Sequence, residues 1–357
     1  MFFRYPIADL HIHAFSPAQA QDVLDMADEL PYAAFNILSA TSLGARFTAN
    51  NFLSAWIKLK SAGRGTAFAG FYYPETGLPS AADFLDQARR FYALGFDGIK
   101  MMDGKPGIRR KNNAPLDDPA YDPMFSYLED VGLPVVYHVN DPTEFWDWDR
   151  MPEWAKAMGD RVFYGNGLYP TKEEIEGEAL RIAEKHPALK LIFAHFFFTA
   201  DDLEKTVRIF ETYPNIRYDI TPGWEMFEGF AGRRDDWIAF FDKYKSRIFF
   251  GTDTTSDHWR ITIENLRRVL ETDDRFVSFE ENCHGLNLGE ETLRRLYLGN
   301  FRDLLPGPPR EMNVDDLLEE ADRLKKGGPR PEVRAELDEY GAMLAALREP
   351  ERRRAQK

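Results

Sequence analysis

Residues 5–13 read YPIADLHIH. A short apolar run, IADL (7–10), leads directly into two histidines spaced one apart. Successive side chains on a strand point to opposite faces, so His11 and His13 share a face, about 7 Å apart along the chain. Two imidazoles on one face, at the mouth of a strand, can grip one metal ion. They can equally be ordinary polar residues that close a strand. The rest of the chain has to decide.

Seven further runs resemble the first: AAFNIL (33–38), TAFAGFY (66–72), GIKMM (98–102), PVVYH (134–138), KLIFAH (190–195), IRYDI (216–220) and RIFFGTD (247–253). Most are four to six residues long and apolar on both faces, as buried parallel strands are. Amphipathic stretches lie between them. Residues 17–29 follow Ser16, an N-cap, with Pro17 at the first helical position. Residues 80–94 start at Ser80 and stop at Gly95. Residues 171–185 start with Thr171 and Glu174 at capping-box spacing. Residues 199–212 and 233–244 follow the same pattern. Strand then helix, eight times, predicts an α/β protein of the (β/α)8 TIM-barrel type. A doubly wound open sheet is the alternative, but no G-x-G-x-x-G follows the first run to favour it.

The expected organisation is a barrel over 1–305, two accessory helices (314–326 and 331–348) within 306–350, and a charged tail, 351–357. Two connections are long: a polar, basic one at 103–120 and an aromatic-rich one at 139–170. Long connections in compact domains are usually functional or disordered, and the tryptophans of the second argue against disorder.

Bulk composition narrows the function. The 357 residues are 44% hydrophobic and 14% aromatic, enough for a large core. A net charge of −14 argues against nucleic acid and against anionic membrane surfaces as partners. A single cysteine, Cys283, excludes a disulfide framework and thiolate metal clusters. The first residues lack the pattern of a signal peptide, and no apolar run approaches a membrane span. A cytoplasmic location is the expectation.

In a barrel, the C-terminal ends of the strands form the active-site face. Those ends carry His11 and His13, Lys100, His138, His195 and Asp253. Four of the seven histidines occupy such ends. Imidazoles with one carboxylate suit zinc, or less specifically manganese or another divalent ion. A metal there acts as Lewis acid and acidifies its water, and Asp253 can carry the proton as general base.

HIH, GIK, VYH, FAH and GTD, in that order on alternating strands, resemble the amidohydrolase superfamily. More narrowly they resemble its amidohydrolase-related branch, amidohydrolase family 2. The resemblance covers about residues 5–305 and includes the closing segment LGEETLRRLYLGNFRDLL (288–305). That branch contains metal-dependent hydrolases and nonoxidative decarboxylases such as aminocarboxymuconate-semialdehyde decarboxylase. The resemblance implies that His11, His13, His138 and Asp253 ligate the metal and that Asp253 is also the base. It gives His195 one of two roles: orienting water or substrate beside one metal, or binding a second. Lys100 divides the same way, holding substrate beside one metal or, carboxylated, bridging two. One Zn2+ is the expectation, with Mn2+ and a second metal as alternatives.

The loops bear on substrate. Arg109 and Arg110, with Lys105 and Lys111, can hold a carboxylate or steer an anionic small molecule; they can also be a solvated charge run. Trp146 and Trp148 can form a lid, or a small satellite core under the loop. Trp224, in TPGWEM, can stand at the rim. Asp257 and His258 can orient ligands or begin a helix. The run FFF (196–198) reads as core packing. His186 reads as a helix end and His284 as a loop residue. The expected function is metal-dependent hydrolysis of an ester, lactone or amide in a small carboxylated substrate. Decarboxylation on the same fold is the alternative, and a non-enzymatic barrel is a third reading. The accessory helices and aromatic surface make a homodimer possible.

Overall fold

The computed structural model describes residues 5–30, 32–41, 48–223, 225–255, 259–278 and 280–348. Trp224, Asp257, His258 and the tail 351–357 lie outside the described residues.

Eight parallel strands form one sheet in chain order: β1 (Ile7–Ile12), β2 (Tyr32–Leu38), β3 (Gly65–Gly70), β4 (Gly98–Gly104), β5 (Val135–Val139), β6 (Leu191–Phe193), β7 (Ile216–Asp219) and β8 (Ile248–Phe249). Hydrogen bonds between the last and first strands close the circle. Leu10 N–H donates to Phe250 O (3.0 Å), Asp253 N–H to His11 O (2.8 Å) and His13 N–H to Thr254 O (3.0 Å). The architecture is the expected (β/α)8 barrel.

Ala8, Leu10, Phe68, Val136, Ile192 and Phe249 pack inside the barrel, with Phe301 and Leu304 beneath them. The outward residues of the strands join the helices in a second, larger core. The capping residues act as their sequence suggests. Ser16 Oγ accepts from Gln19 N–H ahead of the helix Pro17–Glu29. Ser80 with Asp83, and Thr171 with Glu174, form reciprocal capping boxes for Ala81–Ala93 and Lys172–Lys185. Gly95 ends the former helix region at φ +89°, where an added Cβ would collide with Glu311 O. That close approach ties the barrel to the C-terminal segment. The accessory helices Val314–Lys326 and Pro331–Ala346 contribute Leu317, Ala321, Leu337 and Leu344 to the larger core.

Three details differ from the sequence reading. The connection after β4 contains a short helix, Pro106–Asn112, with Pro106 at its first turn. An antiparallel hairpin, β9 (Arg275–Ser278) with β10 (Glu281–His284), follows the helix Trp259–Glu271. His284 therefore ends a strand instead of lying in a loop. β8 is two residues long, and beyond it the chain stays beside β1 through Phe250 O, Asp253 N–H and the bridge of Thr254 to Ile12.

Candidate metal centre

A register shift between Asp9 and Ile12 sits at the end of β1. Ala8 and Leu10 face the barrel interior, Ile12 faces the helices, and His11 and His13 turn together into the mouth. Such irregularities re-aim side chains next to active sites. The two Nε2 atoms lie 3.2 Å apart. Asp253 Oδ1 lies 3.4 Å from the first and 3.3 Å from the second.

Each ring is oriented from behind. His11 Nδ1–H donates to Asp219 Oδ2 (2.8 Å), and His13 Nδ1–H donates to Leu38 O (2.7 Å). Both Nε2 atoms therefore carry lone pairs, aimed at one another and at a carboxylate oxygen. Three acceptors in mutual repulsion are what a divalent cation resolves. These three residues are the one group among the described residues whose ligand atoms cluster this way. The donor set thus fits zinc or manganese.

Local backbone supports the arrangement. Asp253 has φ +54°, a conformation that aspartate tolerates better than most residues. Gly251, two residues earlier, admits the His11 side chain: a Cβ at Gly251 would stand 3.0 Å from His11 Cβ. At the end of β6, His195, Phe196, Phe197 and Phe198 all have φ between +51° and +59°. Four consecutive left-handed residues cost about 1–2 kcal/mol each. Packing offsets that cost. Phe196 is set among Tyr218, Phe230, Trp237, Phe240 and Phe241, and Phe197 stacks on Phe193 with centroids 4.2 Å apart. The turn also bonds: His195 N–H donates to Asp219 Oδ1 (2.9 Å), and Lys172 Nζ donates to Phe198 O (2.6 Å). Phe196 and Phe197 are core, as the composition of the run suggests, whereas Phe198 lines the cavity and stacks on His195.

The remaining strand-end residues stand around this centre. Lys100 Nζ donates to His11 Nε2 (3.2 Å). His195 Nε2 lies 4.0 Å from Asp253 Oδ2. The ring of His138 lies 4.7 Å from that of His195, but its Nε2 is turned to Asp141 Oδ1 at 3.3 Å. Asp141 also accepts from Lys105 Nζ (2.8 Å) and Tyr164 O–H (2.6 Å). A cavity of about 530 Å³ is lined by the histidines, the two lysines, Asp141 and Asp253, with Phe15, Phe145, Trp154, Met158 and Phe198 around its apolar wall.

Burial governs the ionisation states. It pushes His11 down to about 4, helped by the Lys100 charge, and His195 down to about 3, helped by His138. His138 is lowered by burial and by Lys105. These imidazoles are neutral at pH 7, the form that ligates metal. Burial also lowers Lys100 to about 8, against the pull of Asp253 and Asp219. Burial alone would raise Asp219 and Asp253. The His11 interactions hold Asp219 at about 2, and the close approach of His13 and the neighbouring imidazoles holds Asp253 well below the usual carboxylate range.

The loop residues divide. Lys105 lines the cavity; Arg109 and Arg110 are not among its lining residues. Arg109 makes a two-pronged bond to Glu178 (2.9 and 2.8 Å), and Arg110 lies over the Tyr169 ring. Trp146 packs on Tyr164 in a satellite core with Phe145, Met151 and Ala155, while Trp148 is exposed. Sequence reasoning missed Asp219, Asp141, Trp154 and Phe15. Asp219 had a signal: a carboxylate at the end of a strand, in IRYDI, on the same barrel mouth as the histidines.

A (β/α)8 barrel with two histidines and an aspartate convergent at its C-terminal mouth defines a class of protein, and its family follows. The amidohydrolase family model matches residues 8–335, and the chain belongs to that family. No curated protein matches it. Among solved structures it is similar to an uncharacterised TIM-barrel protein from Bordetella bronchiseptica, with TM-score 0.55, 12% identity, and 84% of this chain and 98% of that one covered. It is also similar to a dihydroxybenzoic acid decarboxylase from a Polaromonas species with bound manganese and 2-nitroresorcinol, with TM-score 0.53, 15% identity, and coverage of 85% and 97%. A third is 4-oxalomesaconate hydratase from Rhodopseudomonas palustris, with TM-score 0.51, 12% identity, and coverage of 89% and 99%. At these identities the likeness establishes the barrel. Among the described residues, no helix is long and apolar enough to cross a membrane.

Proposed function

We propose that this chain is a metal-dependent hydrolase acting on an ester, lactone or amide carbonyl of a small carboxylated substrate. The observation that carries the reading is the convergence of two oriented Nε2 lone pairs with Asp253 Oδ1 within 3.4 Å. His11, His13 and Asp253 hold one divalent ion, zinc or manganese. His138 is the fourth candidate ligand and would give up its 3.3 Å contact with Asp141 to join them. Bound there, the ion supplies Lewis acidity and lowers the pKa of a coordinated water. Asp253, ionised and the most exposed of the three ligands, takes the proton of the attacking water and returns it to the leaving group. His195, neutral and 4.0 Å from Asp253, orients the reacting group. Lys100 and Lys105 receive the substrate carboxylate as point charges. Phe15, Phe145, Trp154 and Met158 pack its apolar part and exclude bulk water. Arg109, Arg110, Trp146 and Trp148 stand outside this lining.

Nonoxidative decarboxylation is the second reading. Two lysine ammonium groups at the cavity favour it, because they would hold a carboxylate beside the metal ligands. One experiment separates the two. The purified protein is loaded with zinc or manganese and offered aryl esters, lactones and hydroxybenzoates. Metal-dependent acid release from an ester or lactone, lost in His13→Ala, is the expected result. CO2 release from the benzoates would establish the second reading, and absence of metal-dependent turnover would overturn both.

A further inference from the structure

The opposite end of the barrel holds another cavity, of about 450 Å³. The N-terminal ends of β2 to β6 border it on one side. The helix Asn300–Leu304 and the segment 305–310 border it on the other. Pro306, Pro308 and Pro309 stiffen that segment.

The charge at this cavity is unlike that of the molecule. The chain carries −14, yet the lining has Arg64, Lys190, Arg302 and Arg310 against one carboxylate, Asp97. Asp97 is already occupied by Lys58 Nζ (2.7 Å) and the backbone N–H groups of Ala67 and Arg310. Arg64 is paired with Asp28. Lys190, Arg302 and Arg310 have no carboxylate partner among the described residues. Arg310 Nη2 donates to Tyr92 O (3.0 Å), but its Nε is buried and unbonded. Lys190 is half-buried, and burial followed by the charge of Arg217 lowers its affinity for a proton. A cation removed from water without a counter-charge is costly, and a bound anion removes that cost. Leu133, Leu298 and Leu305 are part of the apolar wall.

We propose that this crevice binds a small dianion, a dicarboxylate or a phosphate monoester, through Lys190, Arg302 and Arg310. The ligand bridges the start of β6 to the segment that leads into the accessory helices. Its binding therefore fastens the C-terminal helices to the barrel. It is independent of the metal centre, which occupies the other end.

Thermal unfolding of the full chain tests this, with inorganic phosphate, malonate and acetate as probes and ionic strength held constant with sodium chloride. Phosphate or malonate is expected to raise the midpoint saturably while acetate does not, and the stronger of the two names the ligand class. Lys190→Gln with Arg302→Gln, both on accessible side chains, is expected to weaken apparent binding about tenfold or more, as loss of charge-assisted contacts does. His13→Ala is expected to keep the shift. The proposal is overturned by no saturable shift up to about 50 mM, by an equal shift with acetate, or by a shift that survives the double variant. It is also overturned if His13→Ala abolishes the shift, which would place the anion at the metal centre. Should the double variant fail to fold, Arg302→Glu alone, at an exposed position, must weaken binding.

Discussion

Asp219 and His11 meet through Oδ2 and Nδ1 at 2.8 Å, while Asp219 Oδ1 accepts the backbone N–H of His195 at 2.9 Å. One carboxylate thus sets the tautomer of a candidate ligand and the start of the turn that carries its neighbour. Asparagine at 219 has one acceptor oxygen and must present its amide N–H₂ to one of these two donors. Asp219→Asn should therefore lower zinc affinity about 10–100-fold, the usual effect of removing a group that orients a metal ligand. Competition with a chromophoric chelator measures it. Unchanged affinity would remove Asp219 from the metal centre.

Metal should stabilise the fold through His11, His13 and Asp253. Zinc or manganese at one hundred times its Kd should add about 2.7 kcal/mol to unfolding. Asp253→Asn and His13→Ala should abolish that gain while unfolding near the wild-type midpoint without metal. Both changes ease the mutual repulsion in the metal-free protein, Asp253→Asn by removing a negative charge and His13→Ala by removing a lone pair. Calorimetry with and without a chelator gives both numbers. A metal-induced gain that persists in both variants would place the ion elsewhere.

Two buried glutamates outside the ligand set predict a pH dependence. Glu225 is buried with both carboxyl oxygens unbonded, and Glu281 is buried with Oε1 unbonded. Burial pushes Glu225 up to about 7; burial and then the Glu225 charge push Glu281 up to about 9. Both folded-state values exceed the ordinary 4.5. The unfolded chain therefore loses these protons first, and stability falls as pH rises from about 4.5 towards 9. Glu281→Gln should be nearly neutral at pH 4.5 and stabilising at pH 9. Urea unfolding at the two pH values decides it; a variant equally destabilised at both would show that the carboxyl is ionised in the fold.

The left-handed turn at 195–198 depends on Phe196. Phe196→Ala empties a site among five aromatic rings and should cost about 3–5 kcal/mol. Because His195 is held by the same turn, turnover should fall by more than substrate affinity. Urea unfolding and steady-state kinetics are the measurements, and a loss of stability with full activity would separate the turn from the site.

The barrel was legible because each strand is a short apolar run, several of them closing on a polar residue, and because Ser16, Ser80 and Thr171 mark helix starts by side-chain chemistry that is local. His11, His13 and Asp253 were legible for the same reason: their motifs sit at strand ends. Asp219 was not assigned a role because its partner, His11, is 208 residues away, and no local pattern encodes that pairing. Arg109 looked available in sequence, yet Glu178, on a later helix, occupies its guanidinium. The helix Pro106–Asn112 was hidden by its length of two turns. The β9–β10 hairpin was hidden because Arg275 and Val277 are exposed and Phe276 is only partly covered, so no clean alternation marks the strand.

The hydrogen bonds from Asp253 N–H to His11 O and from His13 N–H to Thr254 O have a consequence for how the molecule comes into being. The seam where the first strand meets the last runs through the ligand set itself. A ribosome must deliver more than two hundred residues after His13 before its partner carboxylate exists, and contacts this distant in sequence form late. If the proposed site takes its ion, bound metal would therefore be a tally of finished barrels: a nicked, truncated or half-folded chain would keep most of its helices and still register as empty.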